Sequence, residues 1–344
     1  MKRSLFLFLF CLAIYPAFSF AKSSSYDALF FKPATDMGLY LGVTGADNLD
    51  QWDYTFGLMA DYSQDSIKSF TAAGASIQEV VGPIFVGNLY GSVGLLPFLS
   101  VGIDFPIVPL EKFRNPTTNV RSDEFELGDL RFDLKVKLLD HYQFPVGLAF
   151  VPFVTFPTGS DTHLTGNGKF TGGGLLVIDS PRLFDRMSLA LNAGYQMRNQ
   201  TTVISGTTID DQLLYGLGAN LAVVRWMDLI LDARGTTQAN NIFKKTSQSP
   251  LEIDGALRFY FEKVKLAATV GGGAGITKGV GAPSYRILAG LSFMTPRPYG
   301  SAEYSLYQFK VPPEAVYELS QKCPYSQVEF DPKQDNPQCE EVYV

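Results

Sequence analysis

Acid–base chemistry in this chain would have to involve its two histidines, His141 and His163. His163 stands two residues after Asp161, and an acidic pair, Asp210-Asp211, lies in another polar segment. If the chain folds as a β-barrel, Asp and His at its outer rim could act as the general acid and base of a hydrolase. Nothing in the sequence brings these groups together, so an outer-rim hydrolase is a remote alternative. We predict no catalytic residues and no enzymatic activity.

Redox or metal chemistry would have to use the two cysteines near the C-terminus, Cys323 and Cys339. An exported chain meets an oxidising periplasm, where these residues could form a disulfide, and two free thiols are the alternative. No Cys or His lies close enough in sequence to complete a zinc site. Asp331 and Asp335 do not form the repeated acidic pattern of a calcium loop. We therefore predict a candidate disulfide, no metal and no cofactor.

The first residues have the features of an export signal. Lys2 and Arg3 precede an apolar run from Leu5 to Ile14, and small residues follow at Ser19 and Ala21. This pattern predicts a signal peptide over residues 1–21 that is cut after Ala21. The apolar run is too short to cross a bilayer as a helix.

The composition of the remaining chain is unusual for a soluble enzyme. Charged residues make up 18% and aromatic residues 13%, and 32 glycines are spread along the sequence. No segment after residue 21 approaches the 18 consecutive apolar residues of a membrane helix. The formal net charge of -6 argues against nucleic acid as a partner. An exported chain of this kind is typical of an outer-membrane β-barrel.

Alternation of apolar and polar residues is the main structural signal. Leu251, Ile253 and Leu257 share one face of a predicted strand, and Glu252 and Asp254 share the other. Successive side chains of a strand point to opposite faces, so the apolar face would meet lipid and the polar face the lumen.

We expect twelve strands, within a range of 10–14, of about the length that a tilted membrane strand needs. The predicted fold class is therefore all-β, an antiparallel transmembrane β-barrel. The predicted strands centre on residues 54–61, 85–93, 99–107, 127–138, 146–156, 172–178, 187–198, 213–223, 227–234, 251–261, 264–273 and 285–293.

The connections alternate between short and long, as in membrane barrels with short periplasmic turns and longer outer loops. Both ends of the barrel are then expected on the periplasmic side. The short turns are predicted near residues 95–97, 140–141, 225–226 and 262–263. The long outer loops are predicted at 62–82, 108–124, 157–170, 199–210 and 236–249.

The polar faces of the strands supply a set of candidate lumen-lining residues with charges of both signs. Such groups could pair and plug the lumen, because unpaired buried charges are costly, or they could line a narrow polar pore. The candidates are Asp129, Arg131, Asp133, Lys135, Lys137, Arg198, Asp228, Asp232, Arg234, Glu252, Asp254, Arg258, Lys265 and Arg286.

The predicted domain organisation has four parts. Residues 22–50 follow the signal peptide and form either a periplasmic lead-in or a segment inside the lumen. The barrel covers residues 51–295. Residues 296–344 form a short periplasmic tail that contains the candidate disulfide and could dock a periplasmic partner.

Several segments resemble the N-terminal barrel of the outer-membrane protein A (OmpA) superfamily. They include Phe31-Lys32-Pro33-Ala34-Thr35, Gly128-Asp129-Leu130-Arg131 and residues 151–159, and they are followed by Tyr215-Gly216-Leu217-Gly218 and residues 281–291. The resemblance is to the variant in which calcium-binding repeats and a peptidoglycan-binding domain usually follow the barrel. Both are missing here, so we do not expect the wall-anchoring role.

The function expected from these features is a structural or narrow-pore role in a Gram-negative-type envelope, with passage of small polar solutes. The alternative is a surface binding or adhesion protein that acts through its long outer loops. The expected partners are outer-membrane lipid and the outer-membrane assembly machinery. Gly290-Leu291-Ser292-Phe293 resembles the closing-strand signal that this machinery reads, and an ordinary strand is the alternative.

Overall fold

The computed structural model describes residues 26–294, apart from residues 37, 65–66, 71–75, 115–120, 142–143, 162, 185, 204–206 and 278. The predicted signal peptide, residues 296–344 and the candidate Cys323–Cys339 disulfide lie outside the described residues. Two 3-10 turns interrupt the strands, at Thr246–Gln248 and Glu262–Val264. No helix in the described part of the chain is long and apolar enough to cross a membrane.

The regular structure consists almost entirely of strands, as the alternation predicts. In chain order they are β1 (Tyr54–Gln64), β2 (Ile67–Phe70), β3 (Ser76–Leu96), β4 (Leu99–Arg114), β5 (Arg121–Leu127), β6 (Leu130–Leu139), β7 (Gly147–Phe156), β8 (Thr171–Asp179), β9 (Met187–Met197), β10 (Thr201–Val203), β11 (Thr207–Ile209), β12 (Gln212–Val224), β13 (Met227–Gln238), β14 (Leu251–Phe261), β15 (Leu266–Gly275) and β16 (Tyr285–Met294).

Twelve of the described strands close into an antiparallel barrel. The order around the wall is β3-β1-β16-β15-β14-β13-β12-β9-β8-β7-β6-β4, and pairing of β3 with β4 closes the ring. β2 and β5 extend the wall by pairing with the far parts of β3 and β4, and β10 and β11 form a separate hairpin. The predicted fold class and strand number are confirmed. Closure matters because a membrane offers no partners for an open sheet edge.

The two faces of the wall differ as the alternation predicts. Along β14, Ile253 and Leu257 are exposed, whereas Glu252, Asp254 and Arg258 in the alternate register are buried. Large apolar side chains therefore cover the outside of the barrel, and polar ones project into the lumen. Aromatic residues stack near the ends of the strands, for example Trp226 on Phe259 with ring centroids 6.1 Å apart.

The ends of the barrel are distinguished by their connections. We call one the turn end, because β1 begins there, β16 ends there, and tight turns join β3 to β4 and β12 to β13. We call the other the loop end. Two of the loops predicted there are wrong in character, because 62–82 and 108–124 largely continue as paired strands. Beyond the hydrocarbon layer both faces of a strand can be polar, so pairing persists where the alternation disappears.

Candidate functional site

A segment before β1 passes along the lumen from one end of the barrel to the other. We call residues 26–50 the plug. Near its start, the hydroxyl of Tyr26 donates to the carbonyl of Val280 at the loop end, at 3.2 Å. Near its finish, the amide of Asn48 donates to the carbonyl of Leu96 at the turn end, at 3.3 Å.

A carboxylate on β13 holds the middle of the plug. Asp232 Oδ2 accepts hydrogen bonds from three successive backbone N–H groups, those of Leu41, Gly42 and Val43, at 3.1, 2.8 and 2.9 Å. Successive N–H groups that converge in this way form an anion-binding concavity. A charged acceptor makes each bond stronger than one between neutral groups.

The neighbouring strand β14 holds the same turn of the plug by its carbonyl groups. The guanidinium of Arg258 donates to the carbonyls of Gly38 and Tyr40, at 2.5 and 2.8 Å, and its Nε donates to Thr269 Oγ1 at 3.2 Å. Asp232 therefore binds the N–H groups, and Arg258 the carbonyl groups, of one short stretch of plug backbone. Both side chains are almost completely buried, as is Tyr40.

Strands β9 and β8 fix the part of the plug that follows. The Asn192 side chain accepts from the N–H of Thr44 and donates to its carbonyl, both at 2.8 Å. Asp179 accepts from the N–H of Ala46 at 2.7 Å. These bonds satisfy plug backbone groups that have no strand partner, which buried polar groups require.

On β6 the plug meets a lysine and an aspartate. Lys135 forms an ion pair with Asp36 and donates to the carbonyls of Gly45 and Asp47, both at 2.8 Å. Thr35 Oγ1 donates to Asp133 Oδ1 at 2.9 Å. Lys135 thus ties two distant parts of the plug to each other and to the wall.

Nearer the loop end, buried ion pairs span several strands. Arg286 pairs with Glu252 at 2.5 Å and also with Asp61, and Arg234 pairs with Asp254. These pairs join β16, β14, β1 and β13 across the lumen-facing surface. The two guanidinium groups and the three carboxylates attract one another, and this attraction offsets part of the cost of their desolvation.

Aromatic side chains of the plug lie on the arginines of this region. Phe31 is under both Arg234 and Arg286, with guanidinium carbons 4.6 and 5.4 Å from the ring centroid. Tyr26 lies in the same way under Arg198, at 4.7 Å. Such cation–π contacts stabilise desolvated pairs, so the plug contributes to the charge network instead of only filling space.

The candidate residues near the loop end hold loops as well. Asp129 stands between β5 and β6 and accepts from the N–H of Gly159 and of Asn167, at 3.1 and 2.8 Å. Arg198 follows β9 and donates to Gln212 at 3.0 Å. Both side chains therefore lie at the margin of the lumen instead of its centre.

The structure places most of the predicted lumen-lining residues on the inner face of the wall. Arg131, Lys137, Arg198 and Arg234 are partly buried. Nine are buried: Asp129, Asp133, Lys135, Asp228, Asp232, Glu252, Asp254, Arg258 and Arg286.

The prediction for Lys265 is wrong. The 3-10 turn Glu262–Val264 delays the start of β15 to Leu266, and Lys265 is exposed with φ 53° in the turn. A residue before the first paired position does not follow the alternation of the strand, which is why the pattern misplaced it.

Sequence reasoning missed several side chains that are as central to the lumen as the predicted ones. Asp61 and Asp104 are almost fully buried on β1 and β4, and Asp179 and Asn192 bind the plug directly. All of them occupy the inward register of an alternating strand. The same period-two pattern would have found them if every polar residue in that register had been included.

His141 lies in the turn after β6 and attaches the last part of the plug to the turn end. Its ring nitrogens are 3.7 Å from Asp47 Oδ2 and 3.6 Å from Asp179 Oδ1. Burial lowers the pKa of His141, but the nearby carboxylates of Asp179 and Asp47 outweigh it and raise the pKa overall. Burial raises the pKa of Asp47 to about 6, although the charge of His141 opposes the shift.

Asp47, Asp140 and His141 are a group whose potential metal-ligand atoms lie within 4.8 Å of one another. Lys137 Nζ is 2.9 Å from Asp140 Oδ2. The ammonium group therefore already supplies the positive charge that a metal ion would bring, and we interpret the group as part of the plug attachment.

The other histidine, His163, contacts a carboxylate and a serine hydroxyl through one ring nitrogen. Its Nδ1 is 2.6 Å from Glu126 Oε1 and 3.2 Å from Ser160 Oγ. A relay from a serine to a carboxylate needs the two ring nitrogens in separate roles, whereas here both contacts use the same nitrogen. Asp211 accepts instead from Tyr195 Oη at 2.6 Å.

Comparisons with known proteins agree with the barrel and identify a family. A family model described as "Putative MetA-pathway of phenol degradation" matches residues 45–287, more than half of the chain. A search of curated proteins finds no match.

Among solved structures, an outer-membrane channel of the COG4313 group from Pseudomonas putida F1 superposes with a TM-score of 0.54 at 12% identity, over 72% of this chain and 97% of the channel. The NanC porin gives a TM-score of 0.48 at 9% identity, over 69% and 98% of the two chains. The toluene transporter TodX from P. putida gives 0.39 at 10% identity, over 78% and 98%.

These findings correct one sequence-based prediction. The matched family and the superposed channel are not outer-membrane protein A relatives, so the resemblance to the OmpA superfamily is wrong. The short segments that suggested it, such as Gly128-Asp129-Leu130-Arg131, combine strand residues with a glycine and carry little that is specific to one barrel family. The chain has the fold of an outer-membrane β-barrel.

Proposed function

We propose that this chain, which belongs to the family described as "Putative MetA-pathway of phenol degradation", is an outer-membrane channel for small polar solutes whose lumen is occupied by its own N-terminal plug. The observation that carries the proposal is the set of hydrogen bonds between the plug and inward-facing side chains of five strands. These strands are β6, β8, β9, β13 and β14. These bonds come from side chains and not from strand pairing, so displacement of the plug would open the lumen and leave the wall intact.

The chemistry of the lumen supports polar rather than apolar solutes. The wall presents carboxylates, guanidinium groups and amides, and the plug contributes backbone polar groups and a few aromatic rings. A solute that passes between them has to replace hydrogen bonds to water, so it needs donors and acceptors of its own. The superposed protein from P. putida F1 is described as a channel, which agrees with this role.

Single-channel recordings in planar bilayers test the proposal. Asp232→Ala leaves three plug N–H groups without their acceptor, and we expect more frequent or larger openings than in the unchanged protein. Deletion of residues 26–46 should give the largest conductance, because it empties the lumen. A heat-dependent shift in gel mobility verifies that each variant has closed its barrel.

Asp228→Ala is the matched control for Asp232→Ala. Asp228 lies on the same strand and is equally buried, but its carboxylate accepts from Asn220 and Tyr260, at 3.2 and 2.8 Å, and not from the plug. Asp228 reaches the plug through Asn220, whose amide also donates to the carbonyl of Leu39 at 3.0 Å, so we expect the conductance of Asp228→Ala to change less than that of Asp232→Ala. If the deletion variant assembles and does not conduct, the channel proposal fails.

A further inference from the structure

One part of the lumen wall has inward-facing polar side chains that do not hold the plug. Asn88 and Ser92 on β3 and Asp104 on β4 face inward with exposed fractions of 0%, 8% and 0%. Within the described residues, no hydrogen bond reaches the Asn88 amide, the Ser92 hydroxyl or either carboxylate oxygen of Asp104.

The register brings Asn88 and Asp104 together. Tyr90 is opposite Asp104 and Asn88 is opposite Pro106, so Asn88 and Asp104 are diagonal neighbours on the same face of the β3–β4 pair. Diagonal neighbours on adjacent strands are within reach of one another's side chains or of a shared ligand.

The positively charged side chains near Asp104 pair with other carboxylates. Lys32 and Arg131 are the positive groups that act on Asp104, and Asp27 and Asp133 are the negative ones. Lys32 Nζ is 3.0 Å from Asp27 Oδ2, and Arg131 Nε is 3.6 Å from Asp133 Oδ2. Three carboxylates, counting Asp104, therefore face two cations, and the excess charge is negative.

The plug does not fill all of the space on this side of the lumen. A small cavity separates its residues 28–31 from β1 and β3, and Asp61, Ile84 and Val86 line the wall of that cavity. Ile84 and Val86 precede Asn88 in the same inward register of β3, so the cavity and the polar group lie along one line on the wall.

We propose that Asn88 and Asp104 bind a small inorganic cation on a path between the plug and the β3–β4 wall. A buried carboxylate or amide without a partner is unfavourable, and a bound cation would relieve both. Carboxylate and amide oxygens are the ligands that hard cations prefer. The site rests on the proposed channel function and makes that channel cation-selective.

Reversal potentials across a KCl gradient test the site with K⁺ and Cl⁻ as the probes. The unchanged protein should favour K⁺. Asp104→Asn removes the charge with little change of shape and should lower the K⁺/Cl⁻ permeability ratio by about two- to tenfold, since a charge a few ångströms from the ion contributes on the order of 1 kcal/mol in a hydrated surrounding. Asn88→Asp adds a carboxylate at the same place and should raise the ratio.

Asp161→Asn is the control, because it removes the same charge from an exposed residue of a loop. It should leave the permeability ratio unchanged. If the barrel conducts but the ratio does not respond to Asp104→Asn or to Asn88→Asp, or responds equally to Asp161→Asn, the cation site is wrong while the channel stands. A barrel that conducts neither with nor without residues 26–46 would overturn both.

Discussion

Arg258 shows how a single side chain can define the path of a segment that has no strand partners. Its planar guanidinium donates to two plug carbonyls, of Gly38 and Tyr40, while its Nε is fixed by Thr269 on the adjacent strand. Because the fork is held by β15, it presents its donors in one orientation. A compact ammonium on a flexible stem cannot do this.

Arg258→Lys should therefore loosen the plug while keeping the charge. Loss of one hydrogen bond to a charged donor costs about 1.5–3 kcal/mol. This corresponds to at least about a tenfold rise in the population in which this part of the plug is detached from the wall. Hydrogen–deuterium exchange of residues 38–44 measures this as a loss of protection. Arg225→Lys, in an exposed turn where Arg225 contacts Glu262 at 3.4 Å, should leave exchange unchanged. Equal protection in the two variants would contradict the prediction.

The turn-end attachment of the plug should depend on pH. The pKa values of Asp47 and His141 are both raised in the folded protein, so the folded state binds more protons than the unfolded one. Their contribution to stability is then greatest at low pH and declines as pH rises, for Asp47 from its ordinary value of 3.8 through about 6, and for His141 above 6.5.

We expect protection factors of residues 44–50, corrected for intrinsic exchange, to be higher at pH 5 than at pH 8. In His141→Gln the decline in protection above pH 6.5 should disappear. The decline at lower pH, which depends on Asp47, should remain. Protection that increases with pH would show that the sign of the linkage is wrong.

At the scale of elements, β3 and β4 are shaped by where the plug has to cross them. Gly94 lies near the end of β3, and a Cβ atom there would be 2.1 Å from the carbonyl oxygen of Asp50 and 2.7 Å from that of Leu49. On β4, a Cβ atom at Gly102 would meet Thr35 and Asp133. Glycine at these positions lets the backbone of the plug approach the wall.

Gly94→Ala should destabilise the protein, because backbone atoms of the plug cannot rotate away from the added methyl group. Overpacking of this kind costs about 1–3 kcal/mol. Gly87→Ala on the same strand is the control, since its nearest neighbour would be Leu58 Cδ1 at an ordinary 3.6 Å. The temperature at which the heat-dependent gel shift occurs should fall only for Gly94→Ala, and a similar fall in both variants would argue against a crossing at Gly94.

At the scale of the whole molecule, the barrel reverses the distribution of apolar and charged side chains that a soluble protein has. Its exposed surface carries large apolar side chains such as Leu217, Leu231 and Leu257, and its interior carries the charges. This arrangement is stable only where hydrocarbon surrounds the wall and closure satisfies the backbone.

The cost of a charge on the outer wall should consequently depend on depth. Leu217 lies near the middle of β12 and Val223 near its end, with exposed fractions of 59% and 39%. Leu217→Arg should cost about 2–4 kcal/mol and Val223→Arg about 0–1 kcal/mol in a bilayer. Equilibrium unfolding from lipid vesicles measures both, and equal costs would contradict a membrane-embedded wall.

The sequence by itself determined the wall of this protein. Leu251 to Phe261 alternates because one face meets lipid and the other the lumen, and this local rule repeats in every spanning strand, so strand number and facing could be predicted. The rule does not place residues of turns, such as Lys265, and it did not predict the strand pairing over much of 108–124.

Only the tertiary structure decided what fills the lumen. The plug has no alternation of its own, and its partners, such as Asp232 for Leu41 or Asn192 for Thr44, are far away in sequence. Which inward-facing charges pair with one another, which hold the plug and which, like Asp104, do neither depends on the closure of the barrel. Closure brings strands from all parts of the chain around a single space, and no local pattern encodes the distances across it.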